Sequence, residues 1–347
     1  IFLIAEVTAI ASLLNYISKV PLWITSGITL IICLLYIIRG GFKLSIITDK
    51  YQFIFIMVTI ILSILFIFGN LEISSLDLIK SNSGQLINFK YLPNYTAGLT
   101  FFIAVASTNL FHQGNWQRVF SAKDSKTLKK SLKYSSIIIF LIVFWMGYTG
   151  LISISINSKV TPDLAFFELL LNDKNYIIVV GVLILALSLT LSTIDTLINA
   201  ISSLLIVNGN EINKSLSGKK IKNKVNLIVL ILSLFVFILA SKGFSILYLF
   251  LLADLFCCAA VITIFYGFFN KKINMKLAKY SIIFGFVSGG LFFPSTNFQN
   301  SILVGNLLPS EIFSSLITSN LLFISFGISI VIPFFMILTY SFRNSLR

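Results

Sequence analysis

Ten apolar runs constrain this chain more than any other feature. They cover residues 1–18, 22–38, 52–69, 97–113, 134–157, 176–206, 225–241, 243–268, 280–298 and 313–342. Crossing about 30 Å of hydrocarbon takes about 20 residues of helix at about 1.5 Å each, so each run is close to the length of one span. A strand barrel would instead show short alternating segments, and lipid tolerates only helices or closed barrels. Composition agrees, with 57% hydrophobic and 11% charged residues in 347 and a mean hydropathy of +0.98. The expected fold is therefore an all-α membrane helix bundle of about ten spans.

A net charge of +14 would suggest nucleic acid in a soluble protein. Here the basic residues sort by side of the membrane. Only Lys19, Lys80, Lys90, Lys159, Lys174 and Lys242 follow odd-numbered runs, and the rest of the 26 Lys and Arg follow even-numbered runs or lie near the C-terminus. The positive-inside rule places that second set, and the C-terminus, in the cytoplasm. The protein is expected in the cytoplasmic (inner) membrane, with the lipid bilayer as its partner and no nucleic acid. The basic run at 118–133 serves as a topology signal or a contact for anionic lipid. Cys33, Cys257 and Cys258 lie in apolar runs and suggest packing, not a disulfide framework or thiolate metal site.

Of twelve Asp and Glu, three fall inside spans: Glu6, Asp195 and Asp254. Charge within a bilayer is costly and marks candidate function. Glu6 and Asp254 could equally be carboxylates satisfied by neighbouring hydroxyls. Asp195 has more polar company. On a helix, Ser188, Ser192, Asp195, Thr196, Asn199, Ser202 and Ser203 share one face, with Thr193 beside it. The stripe turns toward an aqueous path or a polar helix, unless its hydroxyls only bond carbonyls one turn back.

Neutral oxygens can replace the hydration shell of a small hard cation without trapping it. Ser192, Thr193 and the Leu189 carbonyl supply three ligands for Na+, too few for a complete site. The missing oxygens must come from another helix, preferably a broken one. Asp195 and Asn199 would line the sodium path.

Three stretches carry a resemblance to the sodium:solute symporter family. YIIRGGFKLSIITDKYQ at 36–52 resembles its Tyr, Gly-Gly, Thr-Asp and Gln signature. NLFHQGNWQRVFSAKD at 109–124 is similar to the Gln-Arg and Ala-Lys ending of its sixth core helix. Ser192-Thr193 followed by Asn199 resembles its sodium-binding segment in core helix eight. The resemblance implies that 1–268 are core helices three to ten of a leucine-transporter-type inverted-repeat fold, and that 269–347 hold two additional C-terminal helices. The first repeat would then be incomplete, matching a chain that opens at Ile1 without a leader, as an N-terminally truncated fragment would. Alone, such a chain is expected neither to bind sodium tightly nor to transport.

The resemblance further implies sodium-coupled symport of a small polar organic solute, such as an amino acid or urea-like compound, by alternating access. It places Asp49 near the sodium exit route, although a solvated carboxylate among Arg39, Lys43 and Lys50 is the alternative. Ser107, Thr108, Asn109 and His112 become candidate solute contacts if the fourth span unwinds there. In an intact helix they would simply pack, and a lone histidine is often structural. A solute sensor on the same core, signalling through a partner, is the alternative function. An enzyme is not expected, because the chain has one His and neither HExxH nor GxSxG.

Overall fold

The computed structural model describes residues 1–70, 75–171, 175–212, 218–269, 274–296, 298, 300–301, 303 and 320–345. Its helices are α1 (Phe2–Ser18), α2 (Leu22–Asn70), α3 (Ser75–Ser83), α4 (Leu92–Phe111), α5 (Gln113–Phe120), α6 (Ser125–Ile156), α7 (Ala165–Leu171), α8 (Tyr176–Ile212), α9 (Gly218–Ala240), α10 (Ile246–Phe269), α11 (Met275–Phe292) and α12 (Leu321–Ser345). Among the described residues there is no strand, only an isolated bridge between Pro294 and Ser301.

Among the described residues, six helices are long and apolar enough to cross a membrane: Leu22–Gly69, Ser125–Ile156, Tyr176–Gly209, Lys220–Ala240, Ile246–Phe269 and Leu321–Phe342. They mark an integral membrane protein. α1 is apolar but has 17 residues, while α4 and α11 are helical but more polar. The surface supports the same reading. Phe140, Phe144, Ile231 and Phe235 face outward, whereas Ser26, Ser63, Thr149 and Ser233 are buried. In lipid, large apolar side chains lose nothing by pointing outward, and small residues inside let helices approach.

Several limits differ from the sequence expectation, each for a local reason. The second and third runs join in α2, a helical run of 49 residues broken at Gly41, where φ is 55° and ψ is −148°. That conformation is essentially reserved for glycine. Beyond it the expected loop stays helical, so Ser45, Thr48 and Asp49 share a face. The ninth run ends early at Phe292 because Phe293, with φ −64° and ψ 131°, precedes Pro294 and is excluded from the helical region. The fifth begins at Ser125, since the Asp124 carboxylate accepts from the Thr127 amide at 2.6 Å and caps it. This bond holds the Asp124 carboxyl below its usual pKa. Residues 313–319 of the tenth run lie outside the described residues.

The chain divides into two compact units. The first comprises Ile1–Ile87 and Gln113–Leu247. In it α1 buries Ala5, Val7, Ile10 and Ala11 completely and packs on α2, α8 and α9, while α2 lies along α8. Trp145 of α6 donates to Ser63 of α2 at 3.1 Å, giving its indole N–H a partner inside lipid. The second unit comprises Asn88–His112 and Tyr248–Arg347. There α11 and α12 approach closely, because a Cβ on Gly289 would lie 2.7 Å from Ser329 and 2.9 Å from the Ser325 carbonyl. Ser325 in turn donates to the Gly289 carbonyl at 2.7 Å.

Candidate functional site

The polar stripe of α8 faces α2 and α5 within the first unit. Asp195 is fully buried. Its Oδ2 accepts from Tyr36 at 2.9 Å and its Oδ1 from Ser45 at 2.8 Å. Thr48 and Thr196 stand at 3.2 and 3.3 Å, but each hydroxyl has a closer carbonyl for its single proton: Ser45 at 2.8 Å and Ser192 at 2.7 Å. Two firm donors, one on each side of the Gly41 break, therefore hold this carboxyl group.

Asp49 forms the second centre. Arg118 Nη2 donates to Asp49 Oδ2 at 2.5 Å and to Thr196 Oγ1 at 2.7 Å. Ser192 donates to Asp49 Oδ1 at 2.6 Å. The carboxylate is thus not solvated among Arg39, Lys43 and Lys50. It is a partly buried ion pair, with side-chain exposures of 36% for Arg118 and 22% for Asp49, tied by a hydroxyl to α8. Arg118 joins the candidate site through this pair, and sequence reasoning left it without a partner. Its Gln-Arg motif was visible, but the pairing needs α5 to lie beside α2.

Other hydroxyls on α8 follow the local alternative. Thr190, Thr193, Thr196 and Ser202 donate to Ala186, Leu189, Ser192 and Ile198 four residues back, and Ser203 to Ala200. Ser192 and Asp195 are the members that reach across to α2. Thr193 stands 3.1 Å from the Leu189 carbonyl, so the three candidate sodium oxygens lie within one turn. Asn199 is buried, and Gln117 of α5 donates to Ser203 at 2.6 Å and approaches the Asn199 carbonyl at 3.5 Å.

The candidate solute contacts belong to the second unit. α4 stays wound through Ser107, Thr108 and Asn109 and ends at His112, where φ is −73° and ψ is 96°. The helix continues because Asn109 donates to the Val105 carbonyl at 2.8 Å and the His112 amide reaches the Thr108 carbonyl at 3.1 Å. The break thus falls after the polar triplet. Ser107 is buried, and Thr108 donates to Asp254 Oδ1 at 2.5 Å. Asp254, read from sequence only as an intramembrane carboxylate, therefore joins the Ser107–Thr108 locus. The remaining intramembrane acid, Glu6, is half-buried on α1.

No family model matches the chain. Over 272 residues it is 25% identical to a spermidine transporter, DUR31, of Candida albicans strain SC5314. The alignment covers 77% of this chain and 50% of the relative, so the chain spans about half the length of the curated protein it matches. The apolar helices mark this chain as a membrane protein, and the protein it resembles is named a transporter.

Proposed function

We propose that the chain belongs to a sodium-coupled symporter that moves a small polar organic solute by alternating access. One observation carries the reading. Asp49, Arg118, Ser192 and Thr196 converge from α2, α5 and α8, and Ser192 is followed along α8 by Thr193, which donates to Leu189 one turn back. A hydroxyl whose proton is committed to an acceptor turns its lone pairs the other way, toward whatever cation can be accommodated. Ser192 commits its proton to Asp49 and Thr193 to Leu189. Both are then disposed as neutral ligands, with an Asp49 carboxylate one bond away and Arg118 as its counter-charge when sodium is absent. Asp195 and Asn199 continue the polar path along α8.

Dividing α2 at Gly41 and counting α1, α4 and α11 yields ten spans, the number expected of the family's core helices three to ten plus two more. The division at 268 and 269, the cytoplasmic membrane and the cytoplasmic C-terminus belong to the same proposal. So do Ser107, Thr108, Asn109 and His112 as solute contacts. The relative's name brings amines into the solute class alongside amino acids and urea-like compounds.

Sodium serves as the driving ion through its different affinity for outward and inward states, and an inward charge gains about 2.3 kcal/mol per 100 mV. Uptake of radiolabelled spermidine, proline and urea into vesicles carrying the protein tests the reading. A sodium gradient should drive accumulation of one of them above equilibrium. Saturable binding without accumulation would favour the sensor, and gradient-independent entry would remove the coupling.

A further inference from the structure

A cavity of about 280 Å³ lies in the first unit where the α2 break meets α5, the end of α8 and the start of α9. Its polar wall is unlike the sodium locus. Arg39 and Lys222 line it, together with Asn199, Gln117 and Ser202, and no Asp or Glu does. Neither cation takes part in an ion pair among the described residues, where the pairs are Lys80 with Asp77 and Arg118 with Asp49. Arg39 and Lys222 are exposed, at the mouth. The buried wall carries unmet donor capacity: Asn199 is 6% exposed and its Nδ2 has no partner. Buried amide groups left in this state are costly unless something supplies the missing bond. Space is available at the break itself, since a Cβ on Gly41 would meet nothing within 4 Å.

We propose that this cavity binds a phosphate group, from either an anionic phospholipid headgroup or a soluble phosphate. Two unpaired cations flank the entrance and attract a dianion or a phosphodiester, and the Asn199 amide offers a neutral donor behind them. Arg39 follows the second apolar run and Lys222 the sixth, so both stand on the side that the charge bias marks as cytoplasmic, where anionic lipid is concentrated. Ile198 and Val229 form apolar wall, which suits a ligand with a hydrophobic portion. The cavity shares Asn199 with the polar stripe of α8, but its ligand is anchored by the two cations, so the proposal does not rest on sodium coupling.

The test is saturable binding of phosphatidylglycerol and, separately, of inorganic phosphate to the purified protein in phosphatidylcholine nanodiscs. Each Lys or Arg near the surface strengthens anionic-lipid binding, so R39Q/K222Q should weaken the bound probe about tenfold or more. Binding of phosphatidylglycerol alone identifies the membrane as the source, and binding of inorganic phosphate alone identifies a soluble one. A second measurement uses the unmodified sequence: saturating probe should slow amine-reactive labelling of Lys222 while leaving exposed Lys159, outside the basic run, unaffected. Non-saturable binding of both probes, equal affinity in R39Q/K222Q, or unprotected Lys222 would overturn the proposal.

Discussion

At the scale of single residues, the polar face of α8 is organised by its two connections to carboxylates. Asp195 depends on Tyr36 and Ser45 for its firm bonds. Tyr36→Phe should therefore destabilise the protein by about 1–3 kcal/mol, the usual cost of removing a hydrogen bond to a charged group, read as a lower melting midpoint in detergent. Asp49 and Arg118 are coupled differently, as an ion pair that is partly exposed. Arg118→Gln leaves a carboxylate without its counter-charge, so adding Asp49→Asn should recover part of the loss. Because solvent screens the pair, a coupling of about 1 kcal/mol is expected from the double-mutant cycle. Additive effects would show that the pair contributes nothing. The α8 stripe was legible because a period of 3.6 residues collects its members on one face. Its partners were less so: Ser45, Thr48 and Asp49 fit the same helical spacing but sat in a stretch read as a loop. Arg118 is far away in sequence from both of its partners, Asp49 and Thr196.

At the scale of elements, Gly41 permits α2 to change direction without ending. Gly41→Ala should cost about 1–3 kcal/mol, because φ of 55° with ψ of −148° is strained for any residue with a Cβ, although the surrounding space is open. Gly289→Val tests the opposite cause. Its backbone is ordinary, yet the α12 contacts leave no room, and overpacking should cost about 1–3 kcal/mol. The start of α6 adds a pH dependence. With the Asp124 pKa lowered by the Thr127 amide, the cap stabilises the helix above the ordinary carboxylate pKa and is lost as pH falls through the lowered value. Amide protection at Thr127, corrected for intrinsic exchange, should fall over that acidic window. Element types could be read from the apolar runs, but three boundaries required specific knowledge of Pro294, the Asp124 cap and the Gly41 conformation. Proline and an N-cap leave marks in the sequence. The direction of a glycine does not.

At the scale of the whole molecule, the helical membrane architecture of the described residues follows from hydrophobic length, and the likeness to a spermidine transporter supports the proposed transport role. The count of spans is harder to read, because among the described residues six helices pass on length and apolarity while α1, α4 and α11 are shorter or more polar. Polar helices within a bilayer are stable only when neighbours satisfy them, and hydropathy alone carries no record of those neighbours. The candidate sodium oxygens were legible as residue types. Their protons' acceptors, Asp49 and Leu189, were a matter of packing.

Sodium coupling at Ser192 and Thr193 is the central claim, and the sodium dependence of solute uptake in vesicles carrying the wild type, Ser192→Ala or Thr193→Ala measures it directly. Both variants should need about tenfold or more sodium for half-maximal uptake, equivalent to about 1.4 kcal/mol of lost ion binding, at unchanged protein abundance. Half-maximal sodium equal to the wild type in both variants would contradict the account.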